Sequence, residues 1–162
     1  MLALVSPVTL AQTRRRSTRS SSSASAAAKK AEAIRAGATR VADQLKILTR
    51  FIYLLGGVAK GIEAADAAAQ RKESPPEIIQ RTQQQKTVIR TSLADVRAGL
   101  DKLELDFRTN PELNRYYIKL AGVAAGAAKA EEQAAANQLD QSGRTLLDVV
   151  NRLTDVLLEM LK

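Results

Sequence analysis

The stretch that decides the fold is residues 34–62, IRAGATRVADQLKILTRFIYLLGGVAKGI. Apolar or small side chains recur along it in alternating steps of four and three residues, at Ile34, Ala38, Val41, Leu45, Leu48, Ile52, Leu55, Ala59 and Ile62. This heptad spacing keeps one face of an α-helix against partner helices. Additional apolar residues widen that face, which predicts a helix in the middle of a bundle; they are Ile47, Phe51, Leu54 and Val58.

The same spacing predicts further helices in the rest of the chain. One begins at Pro75–Pro76 and runs to about Arg108, because two prolines cannot continue a helix but suit a helix start. Another begins after Asn110 and reaches about Ala136. The apolar phase slips near Asn137, a residue suited to a left-handed helix end, which predicts a tight turn and a fourth helix. The sequence contains no strand pattern.

These patterns predict an all-α protein, an antiparallel up-down four-helix bundle over residues 26–162. The helices are expected at about 26–72, 76–108, 111–136 and 140–161. The alternative is a three-helix bundle, in which the third helix continues unbroken into the fourth. With equal rise per residue in antiparallel neighbours, the first helix is longer than its partners, so residues 26–40 are expected to overhang the bundle. Such an overhang either frays or is covered by another chain or surface.

The residue types that are absent exclude several classes of chemistry. The chain of 162 residues contains no His, Cys or Trp. It therefore cannot form a thiolate nucleophile, a disulfide, a Ser-His-Asp triad or a zinc site built from His and Cys. It also contains no phosphate-binding glycine motif and no calcium-loop motif. We therefore expect a protein that is not an enzyme and that uses no cofactor and no metal.

The amino-terminal segment predicts export. Residues 1–11, MLALVSPVTLA, are uncharged and mostly apolar and end in small side chains, as the end of a secretory signal peptide does. No positive region precedes them, so we interpret them as a truncated signal peptide of a periplasmic or secreted protein; the alternative is a cytoplasmic protein. The apolar run is too short to span a bilayer. Residues 12–25 are rich in Ser and Arg and are expected to form a disordered tail.

Basic residues are concentrated near the amino terminus. The formal net charge is +8, and residues 1–28 contain four arginines and no acidic residue. We expect a surface-binding group at Arg14, Arg15, Arg16, Arg19, Lys29, Lys30, Arg35 and Arg40. Such a group would attract an anionic polymer such as nucleic acid, or an anionic surface. No DNA-reading motif and no alternation of basic and aromatic residues accompanies it, so nucleic acid is the weaker hypothesis.

Two groups of glycines are expected at one height of the bundle. Gly56, Gly57 and Gly61 of the first helix fall level with Gly122 and Gly126 of the third. This arrangement favours close packing of two helix backbones, with an apolar ligand pocket as the alternative.

A polar layer is expected nearer the end of the bundle. Asp66, Lys86 and Glu131 fall at similar heights on three different helices. The ordinary interpretation is an ion pair between Lys86 and a carboxylate.

The function predicted from the sequence is that of a non-enzymatic, exported helical-bundle protein in protein interaction or scaffolding. Its expected partner is an unidentified protein or a second copy, bound through the amino-terminal part of the first helix. One alternative is a binder of anionic polymer through the basic tail and first helix. The other is an amphipathic binder of lipid or another apolar surface.

Overall fold

In a computed structural model, the described part of the chain is the backbone of residues 14–162 and the side chains of residues 23–162. This part is all-helical and contains no strand, so the prediction of a helical bundle is confirmed. Its helices are α1 (Arg14–Gln70), α2 (Pro76–Thr109), α3 (Asn114–Leu120), α4 (Val123–Ala135) and α5 (Leu139–Met160).

α2 and α5 each pack against three of the other helices. α1 packs against α2 and α5, and both α2 and α5 pack against α3 and α4. Two salt bridges give the relative direction of α1 and α2: Arg40 pairs with Asp106, and Asp66 pairs with Lys86 toward the opposite end. The earlier of the two α1 residues pairs with the later of the two α2 residues, so the two helices run antiparallel.

One apolar core lies between the helices. The heptad stripe of α1 meets the apolar stripes of the other helices, and the largest fully buried side chains are Val41, Leu48, Ile62, Leu93, Leu100, Phe107, Leu113, Leu120, Val123, Leu139, Leu146 and Leu153. Partly buried apolar residues of α1 pack at its edge; they include Ile34, Ala38, Leu45 and Ile52. The removal of these side chains from water is the main favourable contribution to folding.

α1 begins at Arg14, within the segment predicted as a disordered tail. The backbone of residues 14–25 belongs to α1, residues 12 and 13 lie outside the described part, and the expected disorder of this tail stays a prediction. The described side chains from Ser23 to Glu32 are all exposed, so this stretch of α1 has little support from packing against the bundle. It relies on hydrogen bonds within the helix and on the high helix propensity of the alanines and lysines in residues 24–31.

The overhang predicted for residues 26–40 is shorter in the structure. Gly37 is buried, and a Cβ atom at this position would lie 2.8 Å from Leu113 Cδ2 and 3.0 Å from Met160 Cε. Equal rise per residue in neighbouring helices does not predict this contact. It forms because the turn before α3 and the last turn of α5 both reach α1 near Gly37. The unpacked part of α1 therefore ends near Glu32.

The third predicted helix, residues 111–136, is divided into α3 and α4. Gly122 lies between them with a φ of +94°, a left-handed conformation that residues with a side chain rarely adopt. The carboxylate of Glu104 on α2 accepts hydrogen bonds from the backbone N–H groups of Gly122, at 3.0 Å, and Ala124, at 2.8 Å. Glu104 thus caps the amino terminus of α4, where free N–H groups and the helix dipole favour an anion.

Replacing Glu104 with alanine is expected to lower the free energy of unfolding by about 1–2 kcal/mol, because two N–H groups at the start of α4 lose their acceptor. Chemical denaturation followed by circular dichroism measures the change. Glu104→Gln is the matched control, since it keeps one oxygen acceptor, and we expect it to lose less stability. No loss for Glu104→Ala would show that this carboxylate does not stabilise α4.

A tight turn at Asn137 joins α4 to α5. Asn137 has a φ of +66°, and the N–H group of Gln138 donates to the carbonyl oxygen of Gln133 at 2.8 Å. These features close the carboxyl end of a helix. The alternative prediction of one continuous helix through this point is therefore wrong.

Candidate interaction surface

α1 carries almost all of the formal net charge of the chain. Residues 14–70 contain 11 Lys and Arg against four Asp and Glu, whereas residues 71–162 contain 14 against 13. The formal charge is therefore +7 on α1 and +1 on everything after it. An anionic partner is attracted to α1 more strongly than to the rest of the bundle.

The basic residues predicted as a surface-binding group all lie on α1. Four of them, with side chains outside the described part, are in its first two turns: Arg14, Arg15, Arg16 and Arg19. Lys29, Lys30 and Arg35 are exposed and form no ion pair with a described side chain. Arg40 differs, because its guanidinium lies 3.2 Å from the Asp106 carboxylate and is held against α2. The group is therefore a line of charges along α1, with Arg40 bound to the bundle.

A row of apolar and aromatic side chains is exposed on the middle of α1. The exposed fraction is 49% for Ile47, 81% for Tyr53, 58% for Leu54 and 36% for Val58. The spacing predicted that Ile47, Leu54 and Val58 face the core. The structure corrects this prediction, because α2 and α5 cover only the narrower heptad stripe of α1. Leu55, the neighbour of Leu54, belongs to that stripe and is 3% exposed.

Basic side chains lie beside this apolar row. Between residues 44 and 62, α1 contains three basic residues and no acidic one. Lys46, one of these three residues, forms an exposed ion pair with Asp43 at 3.0 Å. We call the exposed apolar and basic side chains together the α1 face: Lys46, Ile47, Arg50, Tyr53, Leu54, Val58 and Lys60. The absence of acidic residues in this stretch is the sequence signal that identifies the face.

An open groove borders the α1 face on the side of α2. Its volume is about 830 Å³, and its lining includes Ile47, Phe51 and Leu54 from α1 and Ser92 and Asp95 from α2. The apolar side of the face therefore continues into a groove whose α2 wall combines the polar Ser92 and Asp95 with the apolar Val96.

The structure corrects the packing predicted for the glycines of α1. A Cβ atom added to Gly56, Gly57 or Gly61 meets no atom within 4 Å, so these glycines do not pack closely against another helix. The physical reason is that α1 packs chiefly against α2 and α5, which keeps its glycines away from those of the third predicted helix. The alternative prediction is an apolar pocket between these glycines and those of the third predicted helix. Gly56 instead lines an open groove of about 440 Å³ between α1 and α5.

The other two predicted glycines have structural roles with different partners. Gly122 provides the left-handed conformation between α3 and α4. A Cβ atom at Gly126 would lie 2.6 Å from Val149 Cγ2. Gly126 therefore permits a close approach of two helices, but the partner is α5 and not α1.

A polar cluster joins α1, α2 and the turn before α5. Lys86 Nζ donates a hydrogen bond to Asp66 Oδ2 at 2.5 Å, and Asn137 Nδ2 donates to the same oxygen. The side chains of Asp66 and Lys86 are largely buried. The predicted polar layer thus forms around Asp66, with Asn137 in the place expected for Glu131, which pairs with Arg97 instead.

The pKa of the Asp66 carboxyl lies below its ordinary value. Burial raises this pKa, but the hydrogen bonds from Lys86 and Asn137 and the charge of Lys86 together outweigh burial. Because the pKa is lower in the folded state than in the unfolded state, the ionised carboxylate stabilises the fold at neutral pH. This contribution is lost as the pH falls below about 4, through the pKa of the folded state.

Replacing Asp66 with asparagine is expected to lower the free energy of unfolding at pH 7 by about 1–2 kcal/mol, and the difference from the wild type should shrink below about pH 4. Urea unfolding at a series of pH values measures both effects. Asp101→Asn is the control, because Asp101 lies within α2 and forms an exposed, long pair with Arg97, and its effect should stay below about 0.5 kcal/mol. A difference for Asp66→Asn that does not change with pH would contradict the assignment.

Among the described residues, the α1 face is the surface whose chemistry points most clearly to a partner. No group of three or more acidic side chains in this part of the chain is placed to hold a metal ion. No helix within residues 14–162 is long and apolar enough to cross a membrane. Comparisons of the chain with protein-family models, with curated proteins and with solved structures find no match.

Proposed function

We propose that this protein is a non-enzymatic, exported helical bundle that acts in interaction or scaffolding, and that α1 is its binding surface. The observation that carries the proposal is the α1 face. Single exposed apolar residues are common on protein surfaces. Here four large apolar or aromatic side chains are exposed within residues 47–58 of one helix, next to basic side chains. Such a surface favours contact with a partner over contact with water alone.

The anchoring of α1 in the core supports a scaffolding role. Leu48, Leu55 and Ile62 are buried on the side of α1 opposite to solvent, whereas Leu54 and Tyr53 are exposed on the other side. The helix is thus held by the bundle while it presents the α1 face. A partner can bind such a preformed surface without unfolding the core.

The proposal includes an antiparallel up-down four-helix bundle, in which α3 and α4 together form the third arm. Two ion pairs support this arrangement: Arg97 on α2 pairs with Glu131 on α4, and Lys119 on α3 pairs with Glu159 on α5. They fit a third arm that is antiparallel to both of its neighbours.

Export is part of the proposal and is supported by residues 1–11, which lie outside the described residues. Mass spectrometry of the mature amino terminus in fractionated cells tests this part. We expect a terminus after residue 11 in the periplasmic or secreted fraction. An intact Met1 in the cytoplasmic fraction would contradict export.

Photo-cross-linking in the cells that produce the protein tests whether α1 is the binding surface. A photoreactive amino acid replaces Leu54 on the α1 face, or Leu158, which is 56% exposed on α5 and serves as the control. We expect a reproducible adduct from position 54 and little from position 158. An adduct from position 158 alone, or from neither position, would contradict the proposal.

A further inference from the structure

We propose that the α1 face binds the surface of an anionic lipid membrane. This inference rests on the proposed function, because it names the partner of the same surface. The face combines exposed apolar side chains, an exposed tyrosine and three basic side chains on one helix, and two of the three, Arg50 and Lys60, form no ion pair with a described side chain. An interfacial amphipathic helix uses these groups to attach to a bilayer from one side without crossing it.

The charge of α1 selects an anionic partner and disfavours a second copy of the chain. Pairing of two α1 helices would bring two formal charges of +7 together. Within the α1 face, Arg50 and Lys60 form no ion pair with a described side chain, so both are available to phosphate groups. Each basic side chain near an anionic bilayer adds electrostatic attraction to the lipid surface.

The apolar side chains select a lipid surface over nucleic acid. Phosphate contacts would satisfy the basic residues in either case, but a nucleic acid backbone offers no apolar environment to Ile47, Leu54 and Val58. The boundary between headgroups and acyl chains of a bilayer offers phosphate groups to the basic residues and an apolar environment to these side chains. Tyr53, which is 81% exposed, has the amphipathic ring that is enriched at this boundary.

The spacing along α1 fits this arrangement. Lys46, Tyr53 and Lys60 recur every seven residues, and Ile47 and Leu54 follow the same interval one position later. Seven residues are nearly two turns, so the two lines run side by side along the helix, with repeats roughly 10 Å apart. The long lysine and arginine side chains can then reach the headgroups while Ile47 and Leu54 enter the apolar boundary.

A protein partner for this face is less well supported. Lysine is depleted in protein–protein interfaces, whereas it is enriched on interfacial helices.

Flotation of the purified full-length chain with lipid vesicles tests the inference. Vesicles of phosphatidylcholine with about one third phosphatidylglycerol are compared with vesicles of phosphatidylcholine alone. We expect binding to the anionic vesicles that weakens with added salt and that retains the helical circular dichroism signal. Leu54→Ser should weaken binding at least about tenfold, whereas Leu158→Ser on α5 should leave it unchanged.

A second variant keeps the test decisive if loss of Leu54 disturbs the fold. The triple substitution Lys46→Gln, Arg50→Gln and Lys60→Gln removes charge from exposed positions only, and it should also weaken binding at least about tenfold. Full binding by both variants, no binding to anionic vesicles, or salt-dependent binding to duplex DNA without binding to vesicles would each overturn the inference. If position 54 still forms protein adducts in cells while vesicles do not bind, the proposed function stands and this inference is wrong. If position 54 forms no adduct and the anionic vesicles do not bind, the proposed function and this inference are both wrong.

Discussion

Replacing Phe107 with alanine is expected to lower the free energy of unfolding by about 3–5 kcal/mol. Phe107 lies near the end of α2 and is fully buried in the core. The substitution removes the transfer free energy of the ring and leaves a cavity that the surrounding helices cannot fully close. Since a domain of this size is stabilised by only about 5–15 kcal/mol in total, the loss is a large share of it. Urea denaturation followed by circular dichroism measures the change.

Tyr53→Ala is the matched control for Phe107→Ala. Tyr53 is an aromatic residue in a helix as well, but it is exposed on the α1 face. We expect its replacement to change the free energy of unfolding by less than about 0.5 kcal/mol. Similar losses for the two variants would mean that Tyr53 is covered in solution, and they would contradict the separation of core and binding surface.

Replacing Gly126 with valine is expected to lower the free energy of unfolding by about 2–3 kcal/mol. Even a single Cβ atom at this position would lie 2.6 Å from Val149 Cγ2, well inside van der Waals contact. Val149 is buried and branched at Cβ, so it cannot turn away freely. The larger side chain must therefore push α4 and α5 apart. Thermal or chemical unfolding of the variant measures the loss.

Gly57→Ala is the control for the glycine prediction, with the opposite expected sign. A Cβ atom at Gly57 meets nothing within 4 Å, so alanine adds helix propensity without a clash. We expect the free energy of unfolding to rise by up to about 1 kcal/mol. A loss of stability for Gly57→Ala would show that α1 approaches another helix or chain there, as the sequence first suggested.

Much of the fold follows from local patterns in the sequence. The heptad stripe from Ile34 to Ile62 predicts the buried side of α1, and Pro75–Pro76 marks the start of α2. Asn137 predicts the turn between α4 and α5, because its left-handed conformation is a local property of that residue. These features depend on periodicity and on backbone preference, and both can be read from a single sequence.

The break at Gly122 could not be predicted in the same way. Glycine within a run of alanine and glycine is compatible with a continuous helix. What separates α3 from α4 includes the contact of Glu104 with two N–H groups about 20 residues away on another helix. Such a contact depends on the register of α2 against the third arm, which the local sequence does not reveal.

The sequence predicts the basic residues of the candidate site, but it does not predict which apolar residues of α1 are exposed. The basic residues of α1 are visible in the sequence, although Arg40 is held by Asp106. Leu54 and Leu55, in contrast, are adjacent and chemically identical, and only the positions of α2 and α5 decide that one is exposed and the other buried. Apolar patterning alone therefore overestimated the width of the core face.

The measurement that tests the central claim most directly compares thiol reactivity at these two neighbouring positions. The chain has no cysteine, so Leu54→Cys and Leu55→Cys each carry one thiol in an otherwise unchanged sequence. In the purified native protein without a partner, we predict that Leu54→Cys is alkylated at nearly the rate of the unfolded chain. Leu55→Cys should react at least about a hundredfold more slowly, because its thiol is reached only when the structure opens. Equal protection at both positions would contradict the account, since it would mean that the α1 face is already covered and is not available as a binding surface.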